Sequence, residues 1–107
     1  MASLNDWRDE CWRLAEDNGF HEGRANSRDD TLVRLCLLHS EVSEAVQLVK
    51  RHGPEAGGLA EELADVFIRA LDLCGCLKID LDQAMRDKMA KNYARPRKYG
   101  TPREEKL

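Results

Sequence analysis

The sequence contains no run of the roughly 20 uninterrupted apolar residues that cross a bilayer. Its opening, Met1-Ala2-Ser3-Leu4-Asn5-Asp6-Trp7, lacks the basic-then-apolar order of a secretory leader, so a cytoplasmic protein is expected. Cysteine is scarce: Cys11, Cys36, Cys74 and Cys76 lack the dense spacing of a secreted disulfide scaffold and read as reduced core residues. No G-x-x-x-x-G-K-[ST] loop occurs, which excludes the P-loop nucleotide hydrolases. No glutamate is followed three residues later by histidine, which speaks against a di-iron carboxylate bundle. His39-Ser40-Glu41 matches half of a zinc deaminase motif, but Cys74-Gly75-Cys76 has neither the spacing nor the preceding proline of the other half. Strand patterns, internal repeats and low-complexity blocks are also missing.

What remains is a soluble globular composition, 42% hydrophobic and 35% charged over 107 residues, which predicts a single domain spanning 1–107. A chain this short keeps a small core, so a helix apolar on two sides needs a partner subunit. Charge is unevenly placed. Residues 86–107 carry eight Lys/Arg against three Asp/Glu, whereas residues 1–85 carry nine against seventeen. A basic tail on an acidic body is equally compatible with a solvated terminus and with a phosphate-binding segment. The net charge of -3 argues against a general nucleic-acid binder.

Four helices are predicted. Ser3 with Asp6 caps the first, which stops at Asn18-Gly19, and Ser27 with Asp30 caps a longer second helix ending near Arg51. Residues 52–58 form the clearest loop. The third helix covers about 59–77, and Asp80 caps a fourth that ends at Arg95-Pro96. Beyond Gly100 the polar residues 101–107 are expected to form a flexible tail.

The second helix carries two stripes. Leu35, Leu38, Val42, Val46 and Val49 follow helical spacing and are expected to be its core side. Leu37, Glu41, Glu44 and Leu48 follow the same spacing on roughly the opposite side, so two acids lie between leucines. Burying carboxylates costs several kcal/mol each unless cations or donors meet them, so something positive is expected there. On the third helix Leu59, Leu63, Val66, Phe67, Ala70, Cys74 and Leu77 are the expected core stripe, with Glu62 and Asp65 along its edge. Glu61 points farther away. Arg69 and Asp72 continue the edge and are expected to face water. The fourth helix starts on an inward stripe of Leu81, Ala84 and Met85 that continues as Lys88, Asn92 and Arg95. Three donors at that end suit a bound anion, beyond any role in covering the helix C-terminus.

Glu41-x-x-Glu44 and Glu62-x-x-Asp65 together make an all-oxygen donor set, which suits magnesium or manganese and fits zinc poorly. These residues also carry a resemblance. His39-Ser40-Glu41-Val42-Ser43-Glu44-Ala45, then Glu61-Glu62-Leu63-Ala64-Asp65-Val66, then Lys88-Met89-Ala90-Lys91-Asn92-Tyr93-Ala94-Arg95-Pro96 with Tyr99-Gly100, resembles the MazG-like all-α nucleoside triphosphate pyrophosphohydrolases over about residues 20–100. The motifs are E-x-x-E, E-x-x-D and K-x-x-x-N-x-x-R-P, each weak alone and specific in this order.

The resemblance implies an all-α, four-helix bundle-like fold completed by assembly as a homodimer or homotetramer. It implies Mg²⁺, with Mn²⁺ as a substitute, on Glu41, Glu44, Glu62 and Asp65, and Lys88, Asn92 and Arg95 at the phosphates. The reaction implied is hydrolysis of a (deoxy)nucleoside triphosphate to monophosphate and pyrophosphate, in nucleotide-pool housecleaning, with Glu41 or Glu44 as base. Trp12, a stacking candidate, and His21 and Asn26, in the family's approach to its second helix, are weaker base-binding candidates. The competing class is a non-catalytic helical interaction module with a solvated acidic face and a docking tail. Leucines on both sides of Glu41 and Glu44 count against it. A third reading keeps fold and metal but changes the substrate to another pyrophosphate-containing metabolite.

Overall fold

Three of the four helices in the computed structural model, which describes residues 2–96, start on a side-chain cap. In α1 (Leu4–Asp17) the Ser3 hydroxyl accepts from the Asp6 N–H at 3.0 Å, and the Asp6 carboxylate accepts from the Ser3 N–H at 3.0 Å. This reciprocal box satisfies two first-turn donors. In α2 (Arg28–His52) Ser27 accepts from the Asp30 N–H, while Asp29 and Asp30 at the start and Lys50, Arg51 and His52 at the end complement the helix dipole. The Ala25 N–H and Arg24 hold the Asp30 carboxyl below its ordinary range.

Gly53, at φ +80°, turns the chain out of α2 in a conformation that a Cβ would strain, and residues 53–58 return it into α3 (Leu59–Cys76). A loop this short makes α2 and α3 an antiparallel hairpin. α1 packs on α3 as well, so α3 is the central element. Gly75 makes this approach possible: a Cβ there would lie 2.7 Å from the Trp12 Cβ.

α4 (Leu81–Ala94) packs chiefly on α1, through exchange of caps between the two N-termini. Asn5 Oδ1 accepts from the Leu81 N–H at 2.8 Å, and Asp82 accepts from the Leu4 N–H at 3.1 Å. Asp80 accepts from Asn5 Nδ2 and from the Gln83 N–H, contacts that hold its carboxyl below the usual range.

Among the described residues the buried apolar ones are Cys11 and Ala15 of α1, Ala45 of α2, and Leu71, Leu73 and Cys76 of α3. Several expected faces are therefore corrected. On α2 the expected core stripe is split: Leu35, Val42 and Val46 are exposed, Val46 at 50%, while Leu38 and Val49 are half-buried, because the covered side centres on Ala45 with Glu41 and Leu48 and leaves Leu37 and Glu44 exposed. On α3, Leu63, Leu77 and Phe67 are exposed, the last at 65%, since burial concentrates where α1 and α2 both reach the helix. The expected inward stripe of α4 is exposed at Ala84 and Met85 and half-buried at Leu81. Cys36 is exposed rather than in the core, while all four cysteines are free thiols as expected. The expected tail, 101–107, and the Tyr99-Gly100 end of the third motif lie outside the described residues.

Candidate functional site

Both acid pairs face the seam of the α2–α3 hairpin. An i, i+3 spacing puts Glu41 and Glu44 on one side of α2 and Glu62 and Asp65 on one side of α3, and the short loop brings these sides together. Carboxylate oxygens of Glu41, Glu62 and Asp65 all lie within 4.8 Å of one another. Glu44 joins them through Glu41: a hydrogen bond to that carboxyl, together with repulsion from Glu41, Glu62 and Asp65, pushes its own carboxyl up. Glu61 is exposed and stays outside the group. Three convergent carboxylates within a few ångströms fit a hard divalent cation, because small side-chain rotations give it oxygen ligands without moving the backbone.

Arg69 stays exposed, as expected, and also reaches across from α3, with its Nε 3.2 Å from Glu41 Oε1. The Glu41 side chain is 13% exposed, so this guanidinium supplies part of the positive charge that the half-buried acid needs. Asp72, expected to face water, is half-buried instead, with its Oδ1 2.8 Å from His21 Nε2. Arg69 is one turn beyond Asp65, a sequence signal that could have marked it. Nothing local marks the pairing of His21 with Asp72.

Two cavities flank the acids. One, of about 220 Å³, is bordered by Glu41, Asp65 and Arg69 and walled by Leu14, Phe20 and Ile68. The other, of about 340 Å³, is bordered by Glu44 and Glu62 with Arg51 and His52 from the end of α2. Sequence reasoning did not single out Arg51 or His52.

The structure also brings Trp12, His21 and Asn26 to one cavity, next to the first across Asp72. The polar atoms of His21 and Asn26 are engaged within the protein: both His21 nitrogens face carboxylates, and Asn26 donates to the Cys76 carbonyl and accepts from Arg34. Lys88, Asn92 and Arg95 lie on the exposed surface of α4 and at its end, while that helix packs chiefly on α1 rather than on the acid-bearing hairpin.

A helical hairpin that sets two acid pairs against each other defines a class of all-α proteins with a clustered carboxylate site. The family model of the MazG nucleotide pyrophosphohydrolase domain matches residues 30–99, more than half of the chain, and the chain belongs to that family. The match takes in both acid pairs and the Lys88–Arg95 segment, and it begins after Trp12, His21 and Asn26. No curated protein and no solved structure matches the chain. No helix among the described residues is long and apolar enough to cross a membrane.

Proposed function

We propose that this chain hydrolyses (deoxy)nucleoside triphosphates between the α- and β-phosphates, releasing a nucleoside monophosphate and pyrophosphate. The observation that carries this reading is the convergence of carboxylate oxygens of Glu41, Glu62 and Asp65 within 4.8 Å of one another. A solvated acidic face on an interaction module gains nothing from gathering its carboxylates in this way, because like charges repel. Glu41, Glu44, Glu62 and Asp65 are proposed to hold Mg²⁺, with Mn²⁺ as a substitute. When bound, the ion supplies charge neutralisation for the triphosphate and Lewis acidity towards an attacking water.

The chain's own residues then divide the remaining work. Glu41 or Glu44 takes the proton from the water as its oxygen bonds to the α-phosphorus, and the bond from that phosphorus to the bridging oxygen breaks. Lys88, Asn92 and Arg95 stabilise the departing pyrophosphate. Because α4 packs chiefly on α1, this row is proposed to meet the phosphates only in an assembled homodimer or homotetramer. The outward Leu35, Val42, Val46, Leu63 and Phe67 side chains are the surface such an assembly would cover.

The base is proposed to lie in the apolar cavity of Leu14, Phe20 and Ile68 beside the acids. Trp12 remains the proposed stacking surface from the neighbouring cavity, while His21 and Asn26 are proposed to shape that wall, since their polar atoms are already partnered. A single domain over 1–107, a cytoplasmic location and a role in nucleotide-pool housecleaning complete the proposal. The test is incubation with each common NTP and dNTP plus Mg²⁺. Monophosphate with pyrophosphate supports it, and orthophosphate alone means that the wrong bond has been assigned.

A further inference from the structure

A second donor cluster lies outside the acid seam, where the loop between α1 and α2 meets the C-terminal half of α3. His21 Nε2 is 2.8 Å from Asp72 Oδ1 and 3.5 Å from Cys76 Sγ, and Sγ is 3.9 Å from the same Asp72 oxygen. On the opposite edge of the ring, Nδ1 is 2.8 Å from Glu16 Oε1. Both ring nitrogens thus face acceptors, whereas a neutral imidazole has one N–H. A cation placed at Nε2 would meet that nitrogen, the Asp72 oxygen and the Cys76 sulfur together.

We propose that His21, Asp72 and Cys76 form a binding site for a zinc-class divalent ion, with Nε2, an Asp72 oxygen and Sγ as its ligands. Tetrahedral zinc with bonds of about 2.0–2.3 Å needs its ligand atoms roughly 3.3–3.6 Å apart. The three separations, 2.8, 3.5 and 3.9 Å, bracket that range and reach it by small rotations. The donor chemistry is opposite to that of the acid seam: thiolate and imidazole select zinc-like ions, while carboxylates alone suit magnesium. Thiolate and carboxylate with neutral imidazole also balance a doubly charged ion.

The surroundings support the ligands. Glu16 holds the imidazole from behind, the carboxylate–histidine arrangement that fixes the tautomer of metal-binding histidines. The Trp12 ring stacks on His21 with centroids 5.3 Å apart and planes at 30°, and Trp12 is itself seated against Gly75. A cavity of about 300 Å³ bordered by His21 and Cys76 gives an entry path and room for a water as fourth ligand. Bound there, the ion pins the α1–α2 loop to α3. It thereby fixes Phe20, the neighbour of His21, in the wall of the cavity beside Glu41. This inference goes beyond the hydrolase reading and does not depend on it.

The test is titration of the full chain with Co²⁺ in the presence of excess Mg²⁺, followed by optical spectroscopy. Wild type should develop a thiolate-to-cobalt charge-transfer band with tetrahedral ligand-field bands, saturating at one ion per chain. Cys76→Ser should abolish the charge-transfer band, and His21→Gln, Asp72→Asn and Glu16→Gln should each weaken binding by at least about tenfold. Glu41→Gln should leave the bands unchanged. Zinc should raise the melting temperature of wild type but not of Cys76→Ser. Absence of the charge-transfer band in wild type, its survival in Cys76→Ser, or its loss in folded Glu41→Gln would overturn the proposal. The wild-type spectrum decides even where a variant fails to fold.

Discussion

Arg69 and Glu41, 28 residues apart in sequence and on adjacent helices, form an ion pair at 3.2 Å on the edge of the acid cluster. The guanidinium offsets part of the charge that a divalent ion would otherwise meet. Arg69→Met should therefore tighten Mg²⁺ binding several-fold, seen as a lower Mg²⁺ midpoint in thermal-shift or calorimetric titrations without nucleotide. Because the Arg69 side chain is 43% exposed, the metal-free protein should lose no more than about 1 kcal/mol. An unchanged or weaker Mg²⁺ midpoint would remove Arg69 from the electrostatics of the site.

Glu44 gives a stability prediction with a definite sign. Its carboxyl is pushed above the ordinary range by the hydrogen bond to Glu41 and by the charges of Glu41, Glu62 and Asp65. Folding therefore favours its protonated form. The destabilisation is absent below the ordinary carboxylate range and fully present above the raised value. Without divalent ions, Glu44→Gln should raise the melting temperature at pH 7–8 and leave it unchanged at about pH 3. A variant less stable than wild type at neutral pH would contradict the crowding account.

The helix boundaries and acid pairs were legible because their signals are local. Ser3 with Asp6, Ser27 with Asp30, and Asp80 each lie within one turn of the groups they cap, and each acid pair spans one turn. Which side of α2 is covered, the one centred on Ala45 between the two stripes, was not legible. Leu35-Val42-Val46 and Leu37-Glu41-Glu44-Leu48 are both bounded by apolar residues, and periodicity shows that a face exists without naming its partner. The pairing of His21 with Asp72 spans 51 residues and follows from the way α1 seats on Gly75 of α3. Trp12 and Gly75 carry no local sign of that approach.

The exposed stripe leads to an oligomer prediction. Val46 and Phe67 are 50% and 65% exposed within one chain, and a charge at either position would be harmless on a solvated surface. Light scattering of wild type should show a dimer or tetramer at micromolar concentration. Phe67→Glu should shift it towards monomer with lower thermal stability. A stable wild-type monomer would contradict the proposed assembly.

Lys88 and Arg95 separate phosphate binding from helix-end stabilisation. If they meet the phosphates, Lys88→Ala and Arg95→Ala should raise KM or lower kcat at moderate salt, while Mg²⁺ binding persists on its carboxylates. If they only cover the end of α4, each change should cost up to about 1 kcal/mol of stability and leave turnover per folded molecule unaltered. Unchanged kinetic constants in both variants would reject the phosphate assignment.

The most direct test of the carboxylate site as a pyrophosphohydrolase centre is hydrolysis of a nucleoside triphosphate in heavy-oxygen water, with mass analysis of both products. Wild type with Mg²⁺ should place the label on the monophosphate and none on the pyrophosphate, and turnover should stop in chelator until Mg²⁺ is restored. Glu41→Gln, Glu44→Gln, Glu62→Gln and Asp65→Asn should each lower the rate at least about a hundredfold with the helical circular dichroism intact. Orthophosphate as the product, label on the pyrophosphate, or full activity in all four variants would contradict the account.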